Sequence, residues 1–437
     1  MGRLKVVGSV FVLTIFLMAC GNNSESSGEE VSIPEDPEEV SGDITVWAWE
    51  LEANFLEQDV LPAFEEKYPN VNVTIEKQGV DQVYQKLNAG FSGGGSGLPD
   101  VTQIENSRIN SFSGQFPQGF TNLSALGFEE HADKFPEAKL EGLKDADGNI
   151  IAMPRDLGPV GVIYRTDIFE EAEVDPSSIE TWSDYIEAGK QIVDHTGEYM
   201  LGSYDDTLLR VMLQQQGTYY FDQDGNINVN SEEAQRALET IGQMKDEGLL
   251  TYTNDWDGHI GAMKNSTVAT QPDAVWWGGT MIEQMPELSG NWGMFPLPAF
   301  EEGGARAANN GGSALAIPEA SENKAAAYVF SEFATTQEEL QVQGIENRGL
   351  FPSLTSAYES DYFNQQQEYF NNQTFYSDFA ETVEDIPPIN YTSDNLAARD
   401  IMESQLEAFL LEDKSVQDVL SDSQEEIKSQ SGREVSE

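Results

Sequence analysis

Residues 44 to 75 constrain the fold most, because they read as strand, helix and strand in immediate succession. Ile44-Thr45-Val46-Trp47-Ala48-Trp49 is a buried strand. Phe55, Leu56, Val60 and Phe64 recur at helical spacing until Tyr68-Pro69-Asn70 halts them, and Val71, Val73 and Ile75 alternate as a second strand. Such an order builds parallel sheet, in which ligands bind beyond the carboxyl ends of the strands. Trp47, Trp49 and Glu50 stand at such an end. The pattern continues with a predicted strand from Val101 to Glu105 that ends in Glu105-Asn106, and another from Ile150 to Met153 that ends in Pro154-Arg155-Asp156. Thr181 with Asp184 forms a capping-box signal for a helix carrying Trp182 and Ile186. Ser231 caps a helix bearing Ala234, Leu238 and Ile241 that ends near Gly248. The stretch Asp222-Gln223-Asp224-Gly225-Asn226 suggests a calcium loop, but Tyr220 and Ser231 occupy positions that such a loop needs for acids, so a turn is expected.

The amino terminus sets the compartment. Arg3 and Lys5 precede an apolar run from Val6 to Ala19 that is short for a membrane span and reads as an export signal, residues 1–19. The run ends Leu17-Met18-Ala19-Cys20, which resembles a bacterial lipobox; Cys20, the only cysteine, is then a lipid anchor, against the alternative of a free buried thiol. No internal disulfide is possible, so the fold depends on its core. Residues 20–42, rich in Ser, Glu, Asn and Pro, read as a flexible tether. The chain beyond this tether is too long for one ordinary core and suggests two lobes with a cleft between them. The 22 Phe, 15 Tyr and 7 Trp supply apolar surface for a packed globular body.

Charge narrows the partners. Acidic residues number 77 against 23 basic, a net charge of −54. Such a field repels phosphates, which argues against nucleic acid, and favours neutral or cationic ligands. It also fits a solvated surface suited to high external salt, where screening lengths shrink.

Several segments in order along the chain resemble the extracellular solute-binding proteins of sugar ABC transporters, family 1, the group that includes maltose-binding proteins. They are Ile44 to Trp49, Leu98-Pro99-Asp100-Val101, Ala152 to Asp156 followed by Gly161 to Asp167, Thr181-Trp182, Trp276-Trp277, Gly293 to Pro298, Gly311-Gly312-Ser313 and Arg348 to Pro352. Tyr376-Ser377-Asp378-Phe379-Ala380, with Ile386-Pro387 and Asn390-Tyr391, looks most like the branch handling arabinose, lactose and related oligosaccharides. The resemblance implies a type II periplasmic-binding-protein-like α/β fold, two lobes joined by a three-crossing hinge, with crossings near 153–158, 297–305 and 349–353. The N-lobe would be 43–154 plus 305–349, and the C-lobe 155–304 plus 350–432, with helices around 396–411 and 416–427 packed on the C-lobe. It further implies a carbohydrate ligand, ABC permease subunits as partners, a lipid-held monomer on the outer face of the cell membrane, and no cofactor.

A neutral sugar offers apolar C–H faces for aromatic rings and a rim of hydroxyls for donors and acceptors. On that chemistry the candidate ligand-binding residues are Trp47, Trp49, Glu50, Glu105, Asn106, Arg155 and Asp156 on one side. In the opposite lobe they are Trp276 or Trp277, of which an extended chain would turn only one toward ligand. Gly312 and Ser313 could bring backbone amides close to a hydroxyl, and Arg348 and Tyr391 complete the set. For each Trp a core position is the competing reading, and for Glu50, Glu105 and Asp156 a helix cap or hinge salt bridge. Trp182, Trp256 and Trp292 read as structural. Two rival functions remain: a secreted glycoside hydrolase, needing two carboxylates about 5 to 10 Å apart, and a surface adhesin, which would want a repeat or a broad apolar patch. His131, His195 and His259 lack metal-ligand spacing, so no metal is expected.

Overall fold

The computed structural model describes residues 31–253, 255–412 and 414–436. The export signal and Cys20 lie outside them. The first lobe opens with β1 (Gly42–Ala48), β2 (Val71–Lys77), β3 (Val101–Glu105) and β4 (Ala152–Pro154). The second is built on β5 (Val160–Arg165), β6 (Tyr199–Ser203), β7 (Leu250–Tyr252), β8 (Val268–Ala274) and β9 (Trp292–Pro296), after which β10 (Ser313–Ala316) returns to the first. The sheet orders are β2-β1-β3-β10-β4 and β7-β6-β8-β5-β9. As the strand-helix-strand order requires, β1 runs parallel to β2 with Ile44 opposite Val73, and parallel to β3 with Val46 opposite Val101. Each sheet also takes antiparallel strands: β10 pairs β3 and β4, and β5 pairs β8 and β9. The sheets are therefore mixed rather than wholly parallel.

Local signals explain the elements. Phe55, Leu56, Val60 and Phe64 are all buried on one helical run from Glu50 to Lys67, which carries a wide π turn at Leu56–Val60. Pro62, next to that turn, has no N–H to give the preceding carbonyls, so the ladder loosens there. Thr181 and Asp184 form the reciprocal capping box of helix Trp182–Thr196, and Ser231 Oγ accepts from the Ala234 amide at 3.2 Å. The Asp222 carboxylate accepts from the amides of Asp224 and Asn226, closing a turn.

Two expected boundaries move. The tether becomes ordered earlier than Gly42: Ile33 packs on the first lobe's core, Val40 is buried in it, and Asn70 Nδ2 donates to the Glu38 carbonyl at 2.7 Å. Two apolar side chains suffice to dock a segment that composition alone marks as unordered. The second crossing is not at 297–305. Leu297, Ala299, Ala307 and Ala308 stay buried with the second lobe, Val160 N donates to Ala308 O, and Pro159 bridges Asn309. The chain passes between lobes at 309–312, with the other passages at 155–159 and near 350–353, where Asp156 bridges Pro352. Helices Asn395–Leu411 and Val416–Ser431 bury Ile401, Leu406, Val419 and Ile427 in the second lobe's cluster with Leu238 and Ile241.

Candidate functional site at the lobe seam

Carboxyl ends of strands from both sheets meet the crossing 309–312. On the first-lobe side a continuous polar strip runs from β1 to the first crossing. Trp49 N donates to Gln103 Oε1 at 3.0 Å, Gln103 Nε2 to Ser313 Oγ at 2.9 Å, and Ser313 N and Oγ both reach Asp156 Oδ1 at 2.6 Å. Gly312 belongs here for a steric reason. Its φ is +93°, and a Cβ would sit 2.8 Å from the Asp156 carbonyl oxygen, so only glycine lets the two crossings approach. Its carbonyl accepts from Asn106 N at 3.1 Å, tying the end of β3 to the crossing. Glu105 Oε2 accepts from the Tyr84 hydroxyl at 2.9 Å and from Arg108 Nε at 2.8 Å, and the Arg108 guanidinium lies 4.3 Å from the Tyr84 ring centre. Burial, then the Glu105 charge, raises the Tyr84 hydroxyl well above its usual range, so it remains a donor.

The second lobe contributes an aromatic block organised by one carboxylate. Asp273, wholly buried in β8, accepts from Trp277 Nε1, Asn310 Nδ2 and Ala274 N at 2.7 Å each, and from Gln271 Nε2 at 3.2 Å. Burial pushes its carboxyl up to about 6, while the hydrogen bonds from Asn310, Ala274 and Trp277 pull the other way. Trp277 stacks with Trp256 at 4.5 Å and Trp276 at 5.5 Å between ring centres. Tyr204 meets Trp256 edge-on at 5.9 Å. Trp277 is buried, whereas Tyr204, Trp256 and Trp276 keep part of their surface in solvent. Trp276 Nε1 donates to the Asn310 carbonyl at 3.0 Å, which places that ring against the crossing. Behind the block, Arg210 joins Asp206 at 2.8 Å and donates to Asn310 Oδ1 at 2.9 Å, with Arg399 3.3 Å from Asp206. Burial alone would raise Asp206; Arg210 and Arg399 hold it below the ordinary carboxylate value instead.

Of the sequence candidates, Trp49, Glu105, Asn106, Asp156, Gly312, Ser313 and Trp276 come together along this seam, with Glu50 exposed beside Trp49. Four stand elsewhere, and Trp277 lies buried behind Trp276 in the aromatic block. Trp47 is buried in the first lobe's core with Val83, Tyr84 and Leu87, the Lys86 ammonium 4.9 Å from its ring centre, and Trp49 packs part of its surface on the same cluster. Arg155 is fully buried: its Nε donates to Glu52 at 2.8 Å, its Nη1 to Gln341 at 2.9 Å, and its guanidinium lies 4.2 Å from the Phe55 ring centre. Arg348 pairs with Asp59 at 2.7 Å, fastening its helix to the first helical run. Tyr391 packs edge-on against Tyr219 at 5.6 Å and lines a cavity of about 1080 Å³ between the lobes. That cavity lies further along helix Asn106–Gln115, with Asn110, Gly114 and Asp145 on one wall and Asp224 and Arg433 on the other. The Trp276-Trp277 pair is not extended: Trp276 has helical angles (φ −62°, ψ −19°) and leads helix Trp277–Gln284, so both rings stack and the buried one braces the other.

Sequence reading missed Tyr204, Asp273, Asn310, Arg108 and Lys139, and took Trp256 for structural. Tyr204 follows a strand, a signal that was available. Lys139 gave none, on a short helix, Glu137–Glu141, far from any strand end.

The family model described as bacterial extracellular solute-binding protein matches residues 48–341. The chain belongs to that family. A lactose-binding protein of Rhizobium radiobacter is 30% identical over 360 residues, 80% of this chain and 84% of the relative. An arabinooligosaccharide-binding protein of Bacillus subtilis (strain 168) is 26% identical over 416 residues, 92% of this chain and 93% of the relative. The crystal structure of an extracellular solute-binding protein family 1 member superposes with a TM-score of 0.79 at 22% identity, covering 89% of this chain and 99% of that one. The fold is thus that of the two-lobed α/β binding proteins of the family. The relatives that match are named as binding proteins rather than enzymes. Among the described residues no helix is long and apolar enough to cross a membrane.

Proposed function

We propose that this protein is the extracytoplasmic sugar-capturing component of an ABC importer, taking a neutral oligosaccharide of the lactose or arabinooligosaccharide kind into the seam. The observation carrying this reading is the pairing of partly exposed aromatics in the second lobe, Tyr204, Trp256 and Trp276, with the partly exposed Trp49, Glu105, Arg108 and Asp156 of the first. Rings match the C–H faces of a pyranose or furanose, and the Glu105 and Asp156 carboxylates with the Arg108 fork match its hydroxyls. Trp49 and Glu105 from one side and Trp276 from the other would contact the same ligand, so binding favours the closed arrangement of the lobes. Membership of the family supports delivery to permease subunits in the membrane, and Cys20 would hold the mature monomer by lipid at the outer face of the cell membrane. Isothermal calorimetry with lactose and with arabinooligosaccharides tests the reading. One of these should bind with a 1:1 stoichiometry, and chromatography should recover the sugar intact. Cleavage products would instead support a hydrolase, and no heat with any neutral oligosaccharide would overturn the assignment.

A further inference from the structure

A lysine ammonium lies inside the lobe junction. Lys139 is 1% exposed, and its Nζ donates to Asn106 Oδ1 at 2.8 Å, to the Asp156 carbonyl at 2.6 Å and to the Ser313 carbonyl at 2.6 Å. These acceptors belong to the end of β3, the first crossing and the far end of the second. An ammonium has three N–H donors, and here each meets one acceptor. None of the three is a carboxylate. The charged neighbours are few. Asp156 favours the charged form and Arg155 opposes it, but Asp156 Oδ1 already accepts from Ser313, and Arg155 is paired with Glu52. On the adjoining elements Glu105 pairs with Arg108, and Lys144 with Glu141 on the lysine's own helix; Tyr391 packs at Gly142.

We propose that Lys139 is a positioning residue of the hinge, whose protonated amine fixes Asn106 and two of the crossings in one arrangement and so tunes ligand binding at the seam. The inference rests on the proposed oligosaccharide site for its ligand arm, and on the hinge alone for its structural arm. A neutral amine keeps two N–H donors and turns a lone pair toward one of three oxygens. One of the three bonds must then be lost; the Ser313 carbonyl would keep the Arg155 amide at 3.0 Å, so the loss costs most at Asn106 Oδ1 or the Asp156 carbonyl. Burial lowers the amine to about 7, so the exchange falls in an accessible range. The sign is fixed by that direction: the three-bond arrangement is complete below about 7 and is lost as pH rises through that value.

Two measurements decide it. In the ligand-free protein, ¹⁵N–¹H spectra between pH 5.5 and 9 should show the amides of Asn106, Asp156, Leu157 and Ser313 titrating together. Lys139→Met should abolish that shared transition. In the wild type, oligosaccharide affinity should fall by about fivefold or more from pH 6 to pH 8.5, the lower end of ordinary site-to-site coupling. Folded Lys139→Met should show no such change. If Lys139→Met does not fold, the wild-type lysine Nζ resonance serves instead, with a midpoint near neutrality expected. Amides that titrate independently, or an Nζ midpoint above about 10, where an ordinary lysine titrates, would overturn the proposal even if sugar binds normally. Failure of every sugar to bind would refute only the oligosaccharide reading, because the ligand-free titration still decides the hinge.

Discussion

Replacing Arg155 by Met separates a structural arginine from a ligand-binding one. The guanidinium is fully buried, and Glu52, itself 1% exposed, has it as its ion-pair partner at 2.8 Å. Burial raises the Glu52 carboxyl above its ordinary value, and the Arg155 charge opposes that rise. Removing one member of such a pair leaves the other charge uncompensated, at a cost of about 3 to 5 kcal/mol. With a lobe of roughly 200 residues unfolding as a unit, each kcal/mol shifts the midpoint by about 2 to 4 °C, so a fall of about 6 to 20 °C is expected in a calorimetric melt. The deficit should shrink in acid. A carboxyl raised in the folded state takes up a proton there before it does so unfolded, so lowering the pH stabilises the variant relative to neutral conditions. The pair is itself incompletely satisfied, since Glu52 Oε2 and Arg155 Nη2 have no hydrogen-bond partner. Glu52→Leu combined with Arg155→Met should therefore recover most of the loss. Sugar affinity at a temperature where the variant is folded should stay within about twofold of wild type, a difference of roughly 0.4 kcal/mol. A melt unchanged within about 1 kcal/mol, with affinity lost, would mean that Arg155 faces ligand and that the packing argument is wrong.

Trp49→Ala and Trp276→Ala should each weaken oligosaccharide binding by about 2 to 4 kcal/mol in calorimetry, as anchors at the centre of an interface do. Trp47→Ala should instead cost about 3 to 5 kcal/mol of stability, as core truncations do, with affinity kept in the folded fraction. Asp273, with a folded value of about 6 against an ordinary 3.8, should make denaturant midpoints gain stability from this group as pH falls from 7 toward 4; Asp273→Asn should remove that component. The net charge of −54 should make the melting temperature climb with added NaCl from millimolar toward molar, and a flat response would refute self-repulsion at the surface. Small-angle scattering should show a smaller radius of gyration when the bound sugar saturates the protein, and an unchanged radius would mean that one lobe binds alone.

The architecture was legible where a local rule leaves little choice. Alternation at Val71, Val73 and Ile75 and helical spacing from Phe55 to Phe64 each specify one element, and Thr181 with Asp184 specifies where one begins. The site was legible only as far as it lies at strand ends, which is why Trp49, Glu105, Asn106 and Asp156 were named. Arg155 and Trp47 were named by the same rule, but Arg155 turns to Glu52 and Gln341 and Trp47 is covered by Val83, Tyr84 and Leu87, contacts with elements that the local pattern at a strand end does not reveal. Lys139 and Asn310 could not be read at all. Their roles come from contacts with residues remote in sequence, Ser313 for the lysine and Arg210 for the asparagine.

The division of labour between charge and neutral groups argues for the class of ligand. Arg155 is engaged by Glu52, Arg108 by Glu105 and Arg210 by Asp206. Each of these guanidinium groups already has a carboxylate of its own chain, so an anionic ligand would have to displace a partner before gaining one, and the acidic surface would oppose its approach. Asp273 spends its oxygens on Trp277, Asn310, Gln271 and a backbone amide, which leaves a cation little to bind there. The groups with surface to spare are the rings of Trp49, Tyr204, Trp256 and Trp276 and the mutually paired Glu105 and Arg108, while Ser313 and Gln103 are buried. A molecule that gains from such a seam must bring apolar faces and uncharged hydroxyls together, and an oligosaccharide does so along its whole length.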